Sequence, residues 1–503
     1  MDSPFSFILK KLTCGIMSII ILGLGPGDRR YLTLEANAVL ADAQKIYLRT
    51  ARHPVVEELP DHLRLVDFDS LYEEAESFSE IYHQIANEII DLGRLAADSD
   101  QEIIYAVPGH PMVGETTTSL ILEQAERESI PVRIVLGLSF IEPTLSLLKI
   151  DGLDGVQLFD ALEVAGYNHP PLNCDRPTLL AQLYSRQIAS ELKLSLMSTF
   201  PDDHEVVLVH GAGTIDQMAV PTPLYKIDRS SDLSHLTCLF VPPLKEPGSL
   251  TSFAETVAIL RSPDGCPWDQ EQTPQSLRSG LLEETGEVLA AIDAGDHQAL
   301  SEELGDLLYH IIMQIQMASE DGLFKLSEVI GGIDAKLKRR HPHVWGDVEL
   351  SNSDEVIQTW EDIKSQEKTR CDSILDNIPA ALPALARAQM IQHRVKGVGF
   401  DWPTIGGVFD KIEEEIEELN SSLDDSEKAR ELGDLFFALV NWSRWLGLDA
   451  ETVLREANSR FEDRFRRLEL MATTQMVDLT DLDIGELELL WETVKSFELH
   501  EDG

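Results

Sequence analysis

The feature that most constrains this chain is an internal repeat. The strings "LLEETGEVLAAI" and "EELGDLLYHIIMQIQ", within residues 281–316, return as "KIEEEIEELNSSL" and "RELGDLFFALVNWS" within residues 411–443. Glu284 aligns with Glu415 and Glu303 with Glu431, with three fewer residues between the halves in the second copy. Apolar residues recur at helical spacing in both: Leu304, Leu307, Leu308, Ile311, Ile312 and Ile315 in the first, Leu432, Leu435, Phe436, Leu439 and Val440 in the second. That period paints one apolar stripe along a helix. Each copy therefore reads as a helix, a short loop and an antiparallel helix.

Carboxylates give the repeat its chemistry. Residues three or four apart share a helix face, so Glu284 and Glu287 point one way, as do Glu303 and Asp306. Glu415, Glu418, Glu431 and Asp434 repeat the set. Four facing carboxylates repel and raise one another's pKa values, a penalty that a hard divalent cation removes. Mg²⁺ takes oxygen ligands, so such a quartet can hold one ion, or a pair roughly 3.5 to 4 Å apart. An isolated E-E-x-x-E is ordinarily a solvated helix face. Here the E-x-x-D half lies inside an apolar helix, where unpaired carboxylates are costly, and the whole arrangement occurs twice.

Around the quartets stand further strings: "GCPWDQEQT" at 265–273, "KLKRRHPHVWG" at 336–346, "ILDNIPAALPALARAQMIQHRVKGVGFDW" at 374–402 and "ANSRFEDRFRRLE" at 457–469. Together with the carboxylates they resemble the MazG nucleoside triphosphate pyrophosphohydrolases. The resemblance implies Mg²⁺-dependent attack of water at the α-phosphorus of a nucleoside triphosphate, giving a monophosphate and pyrophosphate. It further implies catalytic and metal-binding roles for Glu415, Glu418, Glu431 and Asp434, with Glu414 spare to orient or deprotonate the water. Lys396, Trp402, Asn441, Asn458, Arg460 and Arg464 would meet the substrate, an ordinary basic helix surface being the alternative for the last three. The family usually carries lysine before "GFDW" where this chain has Met390 and His393, so Lys396 and Arg394 would substitute. The first quartet, Glu284, Glu287, Glu303 and Asp306, would hold metal as well. Asn441, Asn458 and Arg460 align with Met313, Asp334 and Lys336, so the second copy is expected to carry the chemistry and the first mainly structure. His341 and His343, with proline between them and no third ligand at suitable spacing, are expected in structural or phosphate-facing roles rather than on zinc.

Before residue 240 the pattern is different. Short apolar runs such as 19–22, 103–107, 132–136 and 206–209 alternate with helical stretches, which predicts an α/β domain with a largely parallel sheet. "VPPLKEPGSL" at 241–250 holds three prolines and a glycine, residues that break regular structure, and reads as a linker. From residue 252 onward strand-like runs disappear and an all-α half is expected. "IIILGLGPGD" at 19–28 is a strand entering a glycine-rich turn that lets backbone approach a ligand closely. With "YAVPGHPMVGE" at 105–115 and "GLSFIEPTLSLLKID" at 137–151 it resembles the tetrapyrrole (corrin/porphyrin) methylases. That implies an S-adenosylmethionine cleft lined by Gly25, Gly27, Pro108, Gly109, His110, Met112, Val113, Ser139 and Phe140, although most biosynthetic members have aspartate where His110 stands. The order of the two families resembles the YabN-type fusions.

The expected layout is thus a possible extension at 1–17, a methylase-like domain at 18–243, a linker at 244–250, and MazG-like repeats at 251–372 and 373–503. Met17, directly before the first strand, is an alternative start, and the apolar stretch near the N-terminus is broken by Lys10 and Lys11 and lacks a cleavage site. A formal charge of −47 repels a nucleic-acid polymer but accepts a triphosphate that arrives with Mg²⁺. No apolar run spans a bilayer. Five widely spaced cysteines argue against a disulfide framework, so a cytoplasmic protein is expected, and the broad apolar helix faces predict a homodimer. The alternative reading makes the methylase domain the working enzyme and the helical half a dimerisation or regulatory module.

Overall fold

The computed structural model describes residues 19–74, 78–97, 101–367 and 373–501; the expected extension at 1–17 lies outside them, as do Cys14 and Cys371. The chain divides into two compact units at Cys266 and Pro267.

The first unit contains two sheets. Strands β1 (Ile19–Gly23), β2 (Lys45–Leu48), β3 (Arg64–Asp67), β4 (Ile103–Val107) and β5 (Val132–Val135) form one, in the order β3-β2-β4-β1-β5. Every pairing in it is parallel. A central parallel strand must be apolar on both faces, and β1 shows why "IIIL" suits it. Ile20 and Leu22 pack with Ala36 and Leu40 of helix α1 (Leu34–Asp42), whereas Ile19 and Ile21 pack with Ile85 and Ile89 of α2 (Phe78–Ala97) and Ile121 of α3 (Thr116–Glu128).

Strands β6 (Gln157–Asp160), β7 (Thr178–Ala181), β8 (Glu205–His210), β9 (Met218–Pro223) and β10 (Thr237–Val241) form the second sheet, in the order β6-β7-β10-β8-β9. Only β6 and β7 run parallel; the other three pairings are antiparallel. The largely parallel expectation therefore holds for the first sheet and not the second. The cause is local: β8 and β9 lie too close in sequence for a helical crossover, which only a parallel pair requires. After α4 (Ile141–Leu148) and α5 (Arg186–Met197), the unit closes with α6 (Leu250–Arg261), whose N-cap is Ser249.

The second unit is entirely helical among the described residues. Its first hairpin joins α7 (Arg278–Ala294) to α8 (His297–Glu320). Gly295 ends α7 in the left-handed conformation, φ 65°, and the Asp296 side chain accepts hydrogen bonds from the Gln298 and Ala299 amides, so two residues suffice to turn the chain. Helices α9 (Leu326–Arg340) and α10 (Ala384–Lys396) lead to the second hairpin, α11 (Gly406–Ser421) and α12 (Asp425–Trp445), capped at Asp424. Helices α13 (Ala450–Thr474) and α14 (Ile484–Glu501) follow. The apolar stripes are only partly covered: Ile312, Ile315 and Val440 are buried, but Leu304, Leu308, Ile311, Leu432, Phe436 and Leu439 remain exposed.

Candidate functional site

Helical periodicity assembles the carboxylates within each hairpin. In the first, oxygen atoms of Glu284, Glu303 and Asp306 lie within 4.8 Å of one another; in the second, those of Glu415, Glu418 and Glu431 do. Glu287 stands beside the first group, close enough to raise the pKa of Glu303. Asp434 is exposed and outside the second group. Burial, then the neighbouring Glu287 and Asp306, pushes the Glu284 carboxyl up; burial, then Glu431 and Glu415, does the same to Glu418.

The two groups differ in their counter-charges. Glu415 and Glu431 are buried. Lys411 Nζ sits 2.6 Å from Glu415 Oε1 and 3.0 Å from Glu414, and Arg430 Nη2 lies 2.6 Å from Glu431 Oε1. Glu415 Oε2 is buried with no hydrogen-bond partner. In the first copy the residue equivalent to Lys411 is Gly280, and His310 fills the space: a Cβ on Gly280 would lie 2.6 Å from the ring's Cε1. His310 Nε2 is 3.9 Å from Glu284 Oε1.

The remaining residues expected at the substrate stand on α10, on the turn before α11, on α12 and on α13. Asn441 is buried, but its Oδ1 accepts from Arg444 Nε and Nη2 at 2.9 and 2.7 Å, and the same guanidinium pairs with Asp401 at 2.7 Å. Asn441 thus helps lock "GFDW" onto α12. Trp402 packs over the start of α11, where a Cβ on Gly407 would meet its ring at 2.1 Å. Arg394 is engaged by the carbonyls of Ile374, Asp376 and Asn377, which leaves Lys396, exposed at the end of α10, as the cation before "GFDW". Asn458 and Arg460 are exposed on α13, where Arg460 faces Glu456 at 3.8 Å; Arg464 is half-buried. His341 hydrogen-bonds the Leu337 carbonyl at 2.7 Å, closing the end of α9.

In the first unit a cavity of about 680 Å³ opens at the carboxyl ends of β1 and β4. Pro108, Gly109, His110, Val113, Ser139 and Phe140 line it, whereas Gly25, Gly27 and Met112 do not. Gly25 has another task. Its φ is +74°, and it exchanges backbone hydrogen bonds with Gly109 at 3.2 and 2.8 Å. Beside them the chain passes so close that a Cβ on Gly137 would stand 2.2 Å from the Gly109 carbonyl. Of these three glycines Gly109 lines the cavity, where backbone without a side chain lets a ligand approach closely.

Sequence reasoning missed the opposite wall of the cavity. Arg49, just after β2, meets Glu115, just before α3, with Nε 3.1 Å from Oε1. Thr117 donates to Glu115 at 2.5 Å and shares a 2.8 Å hydrogen bond with Tyr105. The rings of Tyr72 and Tyr82 flank the guanidinium at 6.0 and 5.8 Å. Burial pushes the Glu115 carboxyl up, against the pull of Arg49; for Arg49, burial opposes the charge, and Glu115 together with the surrounding tyrosines more than restores it. Tyr105 and Glu115 stand at the two ends of "YAVPGHPMVGE", but nothing in that string pairs them with Arg49, 66 residues before Glu115.

Comparisons with known proteins follow this division. Residues 18–228 match the family model of the tetrapyrrole (corrin/porphyrin) methylases, and residues 272–345 that of the MazG nucleotide pyrophosphohydrolase domain. The nucleoside triphosphate pyrophosphohydrolase of Escherichia coli (strain K12) is 45% identical over 248 residues, 48% of this chain and 94% of that protein. The uroporphyrin-III C-methyltransferase of Thermus thermophilus, solved with S-adenosyl homocysteine, aligns with 44% of this chain and 96% of its own at 19% identity and TM-score 0.33. The class is a methylase-like α/β domain fused to a MazG-like helical half. "Uncharacterized protein YabN" of Bacillus subtilis (strain 168) is 37% identical over 490 residues, 95% of this chain and 99% of that one. The chain belongs to the YabN family.

Proposed function

We propose that the chain is a Mg²⁺-dependent nucleoside triphosphate pyrophosphohydrolase, releasing monophosphate and pyrophosphate, with an S-adenosylmethionine-binding methylase domain attached. The observation that carries the first part is the buried, unpartnered Oε2 of Glu415 beside Glu418 and Glu431. A buried carboxylate oxygen without a donor is costly, and a hard cation is the partner this donor set fits. Glu415, Glu418 and Glu431 would hold Mg²⁺, with Asp434 one turn beyond Glu431. Bound there, the ion supplies positive charge for phosphate and a water of lowered pKa. Glu414, exposed and paired with Lys411, would orient or deprotonate the attacking water. The first quartet, with no lysine or arginine paired to it among the described residues, would bind metal mainly to hold its hairpin together.

The family match of 18–228, the side-chain-free backbone at Gly109, and Ser139 and Phe140 in the cavity support the cofactor reading. S-adenosylmethionine bound there would supply an electrophilic methyl group. The half-exposed stripes of α8 and α12 support a homodimer covering them with a second copy, since contiguous apolar surface on a monomer is ordinarily small. A cytoplasmic setting suits nucleotide substrates, and no described helix is long and apolar enough to cross a membrane.

Pyrophosphate release from a panel of nucleoside triphosphates, with and without Mg²⁺, tests the hydrolase; release from none of them rejects it. Glu431→Ala and Glu303→Ala, assayed separately, test the division of labour. Loss in Glu303→Ala alone would move the chemistry to the first copy.

A further inference from the structure

We infer that the methyl acceptor of the cavity is a compact aromatic molecule carrying at most one negative charge, stacked beside Tyr82 and hydrogen-bonded by Arg49. This rests on the reading of the cavity as a methylase cleft. Three observations carry it, and the first is charge. Among the described residues lining the cavity, Arg49 is the one arginine, there is no lysine, and the carboxylates Glu115 and Asp160 also face in. Glu115, almost wholly buried, already balances Arg49 at 3.1 Å. A polycarboxylate macrocycle would bring many anions to a wall whose net charge is negative, and the low local dielectric magnifies that mismatch.

Size points the same way. A site that encloses a drug-sized ligand spans roughly 300 to 1,000 Å³. The volume of about 680 Å³ must take the cofactor as well, which favours a single- or double-ring acceptor over an enclosed tetrapyrrole beside it.

The third observation is the wall's shape. The Arg49 guanidinium lies beside the rings of Tyr72 and Tyr82, with its Nε held by Glu115 at 3.1 Å and 23% of the side chain left exposed at the cavity. A planar fork of donors beside aromatic faces suits a flat ligand with one carbonyl, ring nitrogen or single anionic group. Tyr184 and Phe140 extend the aromatic lining. Glu115 does not reach the acceptor in this scheme. It is a positioning residue that fixes Arg49 through the Thr117 and Tyr105 network.

Calorimetry on the full chain tests this. S-adenosylhomocysteine is titrated first, then uridine, 4-hydroxybenzoate and uroporphyrin III into the saturated protein. At least one of the two compact probes is expected to bind about tenfold or more tighter than uroporphyrin III. That affinity should fall about tenfold in both Arg49→Gln and Tyr82→Leu, while S-adenosylhomocysteine affinity stays within about threefold and reports that both variants fold. Binding of neither compact probe, tighter binding of uroporphyrin III, or indifference to both substitutions overturns the inference. If S-adenosylhomocysteine gives no heat with the unaltered chain, the cofactor reading fails separately, and the same titrations without it still decide the acceptor.

Discussion

Lys411 Nζ lies 2.6 Å from Glu415 Oε1, so the second carboxylate cluster carries its own cation. The first cluster has Gly280 at that place and a histidine ring instead. Glutamate pairing, chiefly with Glu415, raises the Lys411 pKa above its ordinary value, so the lysine is charged throughout the physiological range. Removing it strands a buried carboxylate. Lys411→Met is therefore expected to lose about 1–3 kcal/mol in the absence of metal, a figure reduced because the lysine itself is about a third exposed. Urea unfolding in EDTA should show that loss, and saturating Mg²⁺ should shrink it by supplying another cation. An equal loss with and without Mg²⁺ would mean that the ion does not reach Glu415.

Gly407 and Trp402 make a second test. A Cβ at 407 would stand 2.1 Å from Cδ1 of the indole and 2.8 Å from Cγ, and neither atom is the free end of a flexible chain. Gly407→Ala is expected to displace the ring and cost about 1–3 kcal/mol by overpacking. Gly433→Ala, where a Cβ meets nothing within 4 Å, should be neutral or slightly stabilising, since alanine favours helix. Thermal unfolding separates the two. If Trp402 contacts substrate, only Gly407→Ala will also raise KM for the triphosphate.

The quartets were legible because a helix is a local rule. Spacing alone put Glu303 with Asp306 on one face and Glu415 with Glu418 on another, and the repeat supplied the facing helix. Glu287 and Asp434 show the limit, since spacing fixes a face and not which oxygens converge. The Asn441 carbonyl oxygen engages Arg444, three residues on, because the arginine is already tied to Asp401, 43 residues upstream. Arg49 and Glu115 are further out of reach. They meet because β2 and β4 are neighbours in a sheet whose order is not the order of the sequence. The first sheet was visible in its β-branched runs and β8 of the second in the run 206–209, but the antiparallel direction of the second sheet was not, because apolar runs of four to six residues do not encode direction.

Asp175 should govern the attachment of α6. Its carboxylate accepts from the Gly248 amide at 2.7 Å, the Ser249 amide at 3.1 Å and the Ser249 hydroxyl at 2.5 Å. Although burial opposes it, these hydrogen bonds hold the carboxyl well below its ordinary value. A depressed pKa means a contribution that is complete above the ordinary value of 3.8 and lost only as pH falls below it. At neutral pH Asp175→Ala removes it all, at a cost of about 1–3 kcal/mol. Limited proteolysis should then cut faster within 244–250, and Asp175→Asn should recover part of the resistance, since its amide oxygen can still accept one of the amides.

His53 offers a pH test of the cavity wall. Burial, reinforced by the nearby His235, lowers its pKa from 6.5 to about 4. The folded protein holds the ring neutral while the unfolded chain protonates near 6.5, so the sign is fixed: stability from this site is complete above pH 6.5 and declines as pH falls toward 4. The displacement corresponds to about 3 kcal/mol at most, reached at the acid end of that window. Urea midpoints measured for the unaltered chain and His53→Gln at pH 7.5 and pH 4.5 should bear this out. The variant, which cannot protonate, is expected to lose less on acidification by about 2 to 3 kcal/mol. Equal losses would mean that water reaches the ring and that the cavity is open behind it.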